Sequence, residues 1–143
     1  MITVVTAVIE RGDRRILIGQ RRRGDSSPLK WEFPGGKLRA GERPEQGLAR
    51  ELQEELGATL VGCVEMGRVE HRHGSAGAEL EIRFFAAEIT DSVVEPKCFE
   101  QILWVLPKEL GDYDFLEANR GLIAQIATGK LKPAEILRDA AAR

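Results

Sequence analysis

The chain is poor in several residue types, and each shortage excludes something. Two cysteines, Cys63 and Cys98, stand in 143 residues, and they form no C-x-x-C pair. A zinc knuckle or thioredoxin-like centre is therefore not expected, and two free thiols in a reducing cytoplasm are. There are only two histidines, both in His71-Arg72-His73, so a zinc site there would need ligands the segment does not supply. No apolar run approaches 18 residues, so no membrane span is expected. The N-terminal stretch is apolar first and charged afterwards, the wrong order for a secretory signal. The formal charge is −2, without the basic excess that a nucleic-acid polymer demands. What remains is ordinary for one globular domain, with 43% hydrophobic and 31% charged residues.

Periodicity predicts alternating strands and helices. Ile2–Ile9 is rich in Val, Ile and Thr and reads as a buried strand. Gly12-Asp13 signals a turn, and Arg15–Gln20 follows as a second strand, which suggests a hairpin. Arg21–Lys30 reads as a loop and Trp31–Gly36 as a short extended piece stopped by Pro34-Gly35-Gly36. Thr59–Glu70, Glu79–Ile89 and Gln101–Leu106 read as strands, with a glycine-bearing turn (Gly74, Gly77) between the first two. Phe84 and Phe85 are expected in the core. Phe115–Ala127 and Pro133–Ala142 read as helices. The implied class is α/β, a mixed sheet with helices packed on it.

The clearest helix is Glu45–Leu56, with Pro44 suited to its first turn and Gly57 to its C-terminal cap. Leu48, Leu52 and Leu56 form one apolar stripe, and Glu51, Glu54 and Glu55 occupy a neighbouring arc. A solvated acidic face is the plain explanation of such a run. Local helix physics opposes it here. Glu51 and Glu55 are a like-charge pair four residues apart, and Ala58 and Thr59 stand where partners of Glu54 and Glu55 would be. All three glutamates lie toward the C-terminal half, where the helix dipole disfavours anions. A compensating cation resolves the conflict, and hard carboxylate oxygens suit Mg²⁺ or Mn²⁺. Gly35-Gly36, just before the helix, lets backbone approach a cation or phosphate closely.

Gly36, Glu42 and Arg50-Glu51-Leu52-Gln53-Glu54-Glu55-Leu56-Gly57-Ala58 resemble the Nudix box, G-x5-E-x7-R-E-U-x-E-E-x-G-U with U bulky and aliphatic. Only Ala58 is smaller than usual. Trp31-Glu32-Phe33-Pro34-Gly35-Gly36-Lys37 resembles the MutT branch of that family. The resemblance implies a single Nudix-type α/β/α sandwich over residues 1–143, with the box at 36–58 and a helical tail from about 131. It implies Mg²⁺-dependent hydrolysis of a small nucleoside diphosphate derivative, with no membrane and no polymer partner, in a monomer or homodimer.

Residue by residue, the resemblance implies that Glu51, Glu54, Glu55 and the Gly35 carbonyl hold metal, while Arg50 and Glu42 orient the glutamates. MutT-type enzymes carry a further glutamate shortly before a Trp-containing strand. Here Cys98 stands at that place relative to Trp104, and Glu100, two residues on, is the expected substitute. Either Glu54 or Glu100 would take the proton of the attacking water. Asn119 would read a purine base, Arg21 and Arg22 would lie on the phosphate side, Lys37 would bind substrate, and Trp31 and Phe33 would line the base pocket or pack in the core. The activity so implied is hydrolysis of (deoxy)nucleoside triphosphates, including oxidised purine nucleotides such as 8-oxo-dGTP, to a nucleoside monophosphate and pyrophosphate. CTP-like nucleotides, nucleotide sugars or prenyl diphosphates are the alternative substrates, and a non-hydrolysing nucleotide sensor is the alternative class.

Overall fold

The computed structural model describes residues 1–72, 79–90 and 93–142. His73, Gly74 and Gly77 lie outside the described residues, and with them the expected turn and the second histidine.

β1 (Ile2–Ile9) is the middle of the molecule. It pairs antiparallel with β4 (Gly35–Lys37) and parallel with β6 (Glu79–Ile89), and β5 (Leu60–Arg72) pairs antiparallel with β6. The four strands run in the order β4-β1-β6-β5. β3 (Trp31–Glu32), β2 (Ile16–Gln20) and β7 (Gln101–Val105) form a separate antiparallel sheet. The mixed sheet expected from the sequence is thus accompanied by a second one.

The expected β1–β2 hairpin does not form as a ladder. The two segments share one bridge, Glu10↔Ile16, and then part into different sheets. Gly12-Asp13 does reverse the chain, but β2 pairs along its length with β7, Ile16↔Val105 through Gln20↔Gln101, and at Gly19 and Gln20 with β3 on its other side. A turn signal fixes a reversal of direction, whereas pairing is decided by where both faces of a strand can be buried. Ile16 and Ile18 enter one core cluster and Leu17 the other.

α1 (Pro44–Leu56) covers one face of the larger sheet. Leu48, Leu52 and Leu56 are fully buried against Val5, Ala7 and Phe85. The opposite face of β1 and β6 presents Val4, Thr6, Val8, Ile82 and Phe84 to the second cluster, which also holds Phe33, Phe115, Leu122, Ile123 and Ile126. Phe84 and Phe85 are both in the core, on opposite faces.

The helix expected from Phe115 begins later. Leu116 N–H donates to the Trp31 carbonyl and Trp31 N–H to the Asp114 carbonyl. Backbone spent on β3 cannot close helical turns. A short 3₁₀ turn, Glu117–Asn119, leads into α2 (Arg120–Ala127), and α3 (Pro133–Ala141) packs on β5 and β6. Among the described residues no helix is long and apolar enough to cross a membrane.

Candidate active site

The box folds as a strand, a loop and a helix closed on one another. α1 starts at Pro44, with the Gln46 side chain accepting the Arg43 N–H. It ends at Gly57, whose φ of 66° is the left-handed conformation that glycine adopts without strain. Two glycines bring β4 against this helix. A Cβ on Gly35 would strike the Val5 carbonyl, and one on Gly36 would strike the Glu51 carboxylate. Both neighbours are therefore as close as they are because neither glycine has a side chain.

Arg50 organises the acidic cluster. Its Nε and Nη2 donate to both oxygens of Glu42 at 2.8 and 3.0 Å, Nη1 donates to Glu51 at 2.8 Å and Glu54 at 3.3 Å, and Nη2 also reaches the Lys37 carbonyl. Glu42 also accepts the Arg39 N–H. The Arg50 guanidinium, and then that backbone bond, hold the Glu42 carboxyl down at about 2. Glu42 and Arg50 are thereby fixed as an ion pair under the cluster.

Glu55 behaves in the opposite way. Burial pushes it up to about 8. The Gly35 N–H, 2.8 Å from Oε1, works against the shift, while the charges of Glu32, Glu51 and Glu54 add to it. A partly buried carboxylate beside three others is short of positive charge, and that shortage is the observation that fits a hard divalent cation. The fit concerns donor chemistry. As they stand, Arg50 holds Glu51 and Glu54, Gly35 holds Glu55, and among the described residues no three acidic, histidine or cysteine side chains gather as a closed metal cage.

A cavity of about 810 Å³ opens beside Glu55. Its floor is Ile2, Val4 and Thr6 with Leu80 and Ile82, and Phe33 and the segment from Leu116 to Arg120 make a wall. Gly35, Gly36 and Lys37 close the acidic end. Asn119 is 4% exposed and lines this cavity, and among the described residues its Oδ1 is the one buried side-chain polar atom without a partner. Phe33 lines the cavity and also packs on Phe115, 5.5 Å between ring centroids. Trp31 is buried edge-on to Tyr113 and belongs to the core.

Arg21 lines the cavity, but Nη1 is bound by Glu32 at 3.2 Å and the rest of its guanidinium by Ser26. Arg22 points elsewhere, donating to the Lys97 carbonyl at 2.8 Å. The loop from Glu95 caps α1, because Glu95 N–H and Lys97 N–H donate to the carbonyls of Leu56 and Glu55. This contact sets Cys98 beside the cluster, its thiol directed at the Glu54 carbonyl at 3.9 Å. Partial burial and the nearby Glu55 charge push that thiol up. Glu100 is exposed and off the cavity wall, with its N–H on the Gln20 carbonyl. Both cysteines are free. His71 reaches the cavity rim.

Glu32 and Thr6 were not among the residues expected at the site. Burial raises Glu32 despite its bond to Arg21, and its charge acts on Glu55. Its signal was adjacency to the Phe-Pro-Gly-Gly stretch. That of Thr6 was a second hydroxyl, after Thr3, in a strand of otherwise apolar residues.

A strand-loop-helix carrying three carboxylates at the end of a nucleotide-sized cavity defines a class of phosphate-bond hydrolases. The NUDIX domain family model matches residues 2–126, and the chain belongs to the Nudix family as a MutT-like Nudix hydrolase. It is 41% identical over 125 residues to the 8-oxo-dGTP diphosphatase of Escherichia coli K12, covering 87% of this chain and 95% of that one. It is 31% identical over 136 residues to the CTP pyrophosphohydrolase of the same organism, covering 94% and 98%. A solved MutT from work on Aliivibrio salmonicida and Vibrio cholerae superposes with a TM-score of 0.74 at 30% identity, covering 90% of this chain and 98% of that one.

Proposed function

We propose that this chain is a Mg²⁺-dependent pyrophosphohydrolase of (deoxy)nucleoside triphosphates that releases a nucleoside monophosphate and pyrophosphate, with oxidised purine nucleotides such as 8-oxo-dGTP as its substrates. The observation that carries this reading is the continuous cavity from Asn119, whose amide oxygen is unpartnered, to the partly buried carboxylate of Glu55. An amide both donates and accepts, as reading a base edge requires. Phe33, Lys37 and Arg21 all line this cavity, Phe33 as an apolar wall for the base and the two cations as partners for the phosphates. Glu51, Glu54, Glu55 and the Gly35 carbonyl are the ligands for Mg²⁺, which Mn²⁺ can replace. The bound ion supplies charge neutralisation on the phosphates and a more acidic water. Arg50 and Glu42 keep Glu51 and Glu54 oriented. Either Glu54 or Glu100 accepts the proton of the attacking water, and Glu54 is the nearer to the cluster through its bond to Arg50. Two free thiols and a nucleotide-pool substrate suit the cytoplasm, where such an enzyme keeps damaged nucleotides out of DNA.

The similarity to a CTP pyrophosphohydrolase supports a second reading, a pyrimidine nucleotide in the same cavity. A panel of common and oxidised nucleoside triphosphates, nucleotide sugars and prenyl diphosphates, with phosphate and pyrophosphate detection, separates the two. The expected result is Mg²⁺-dependent release of pyrophosphate, fastest from the oxidised purine nucleotide and reduced about 10²-fold or more in Glu54→Gln. Turnover of CTP alone selects the second reading. Tight nucleotide binding without turnover would make the chain a sensor, with Cys98 as the departure to examine.

A further inference from the structure

Among the described residues two polar side chains are buried, Thr6 at 8% exposure and Asn119 at 4%, and both line the same cavity. They lie far apart in the sequence and on different elements. The other floor positions of that cavity, Val4, Leu80 and Ile82, are apolar. Valine has the shape of threonine, so the hydroxyl at this one position calls for a reason. Burying a hydroxyl costs about 1–3 kcal/mol without a good partner. The partner inside the protein is poor: Thr6 Oγ1 donates to the Arg83 carbonyl at 3.4 Å, well beyond the usual 2.7–2.8 Å for such bonds. Long as it is, this is the hydrogen bond the hydroxyl makes within the protein, and a proton placed along it faces the backbone of β6 and leaves the lone pairs to act as acceptors.

We propose that Thr6 is a specificity-determining residue that, with Asn119, selects a guanine-type base against a cytosine-type base by accepting an N–H of the base. The inference rests on the nucleotide reading above and deepens it. The buried polar complement of the cavity is an acceptor at two places, Thr6 Oγ1 and Asn119 Oδ1, and a donor at one, Asn119 Nδ2. Guanine presents the mirror of that set along its pairing edge, with donors at two places (N1–H and the 2-amino group) and one acceptor, O6. The 8-oxo form adds an N7–H donor. Cytosine presents the reverse, one donor at N4 and acceptors at N3 and O2, and a surplus acceptor facing Thr6 is left unpaired in a buried site. An unpaired buried group weighs more in selectivity than a lost contact does.

The test uses nucleoside monophosphates, which bind without being turned over. Wild type, Thr6→Val, Thr6→Ser and Asn119→Ala are titrated calorimetrically with dGMP, 8-oxo-dGMP and dCMP in Mg²⁺, and the Tm of each protein is recorded. Wild type is expected to bind both guanine nucleotides more tightly than dCMP. Thr6→Val is expected to weaken the guanine nucleotides by about fivefold or more while dCMP is unchanged or tighter, and Thr6→Ser to restore the wild-type order. The Tm of Thr6→Val is expected at or above that of wild type, since the poorly bonded hydroxyl is gone. Equal changes for the guanine and cytosine nucleotides, or none in a variant of undiminished Tm, would reduce Thr6 to a filler of the strand and overturn the proposal. Binding with dCMP preferred by wild type would overturn it too, while leaving the nucleotide reading in place. If wild type binds no monophosphate but hydrolyses the triphosphate panel, this proposal falls and the nucleotide reading stands; if it neither binds nor hydrolyses any nucleotide, both fail.

Discussion

Arg50 sets the geometry of the acidic cluster through donors that point in three directions, to Glu42, to Glu51 with Glu54, and to the Lys37 carbonyl. A lysine keeps the charge and loses the planar fork, so it cannot span all of them. Arg50→Lys is expected to lower stability by about 1–3 kcal/mol, read as a fall in the urea midpoint at unchanged m-value. Its kcat is expected to fall further than its KM rises, because the cluster loses its orientation while the base end is untouched. A change in KM alone would mean that Arg50 belongs to substrate binding.

At the scale of elements, much of the site was legible and the reasons are local. Glu45–Leu56 has a start signal, a stop signal and a stripe of leucines within one stretch, and the structure differs by one residue at its start. The box residues meet because glycines let β4 and α1 touch, which spacing along the chain already encodes. Thr6 and Asn119 were not legible as a pair, since nothing local relates β1 to the turn before α2. Phe115 and Leu116 misled the helix reading for a similar reason: they are apolar at helical spacing, but their backbone pairs with Trp31. The loop carrying Cys98 is another tertiary product. Phe99, next to Cys98, lies flat over Gly19 of β2, where a Cβ would come within 2.6 Å of the ring. Gly19→Ala is expected to cost about 1–3 kcal/mol by overpacking, and to make Cys98 react faster with a thiol reagent as the loop lifts from α1. An unchanged labelling rate in a destabilised variant would show that the loop is held by its backbone bonds to α1 instead.

Over the whole molecule, the balance of charge depends on pH through Glu55. Its carboxyl goes from 4.5 in the unfolded chain to about 8 in the folded one. Between those values the folded protein holds a proton that the unfolded chain has released, so metal-free stability falls as pH rises from about 4.5 to about 8 and levels off above. With Glu55 as a ligand of Mg²⁺, as proposed, the ion has to displace that proton below pH 8. Its apparent affinity is therefore expected to rise with pH up to about 8, with protons released on binding, measurable by calorimetry in buffers of different ionisation enthalpy. Glu55→Gln is expected to flatten the pH dependence of Tm, to be the more stable protein at pH 8.5 without metal, and to lose most of the stabilisation by Mg²⁺. Proton-neutral Mg²⁺ binding at pH 6.5 would remove Glu55 from the ligand set.

The two ends of the cavity have different origins in the chain. The acidic end comes from one unbroken stretch, Gly35 to Gly57, that is cross-braced by its own side chains. The far end is assembled from Thr6, Phe33 and Asn119, contributed by three separate elements. With the base at the far end, as proposed, substitutions there are expected to change what is recognised without disturbing what is cleaved. Variation among descendants of such a chain would then retune the choice of base in single steps, while the acidic end is inherited as a block.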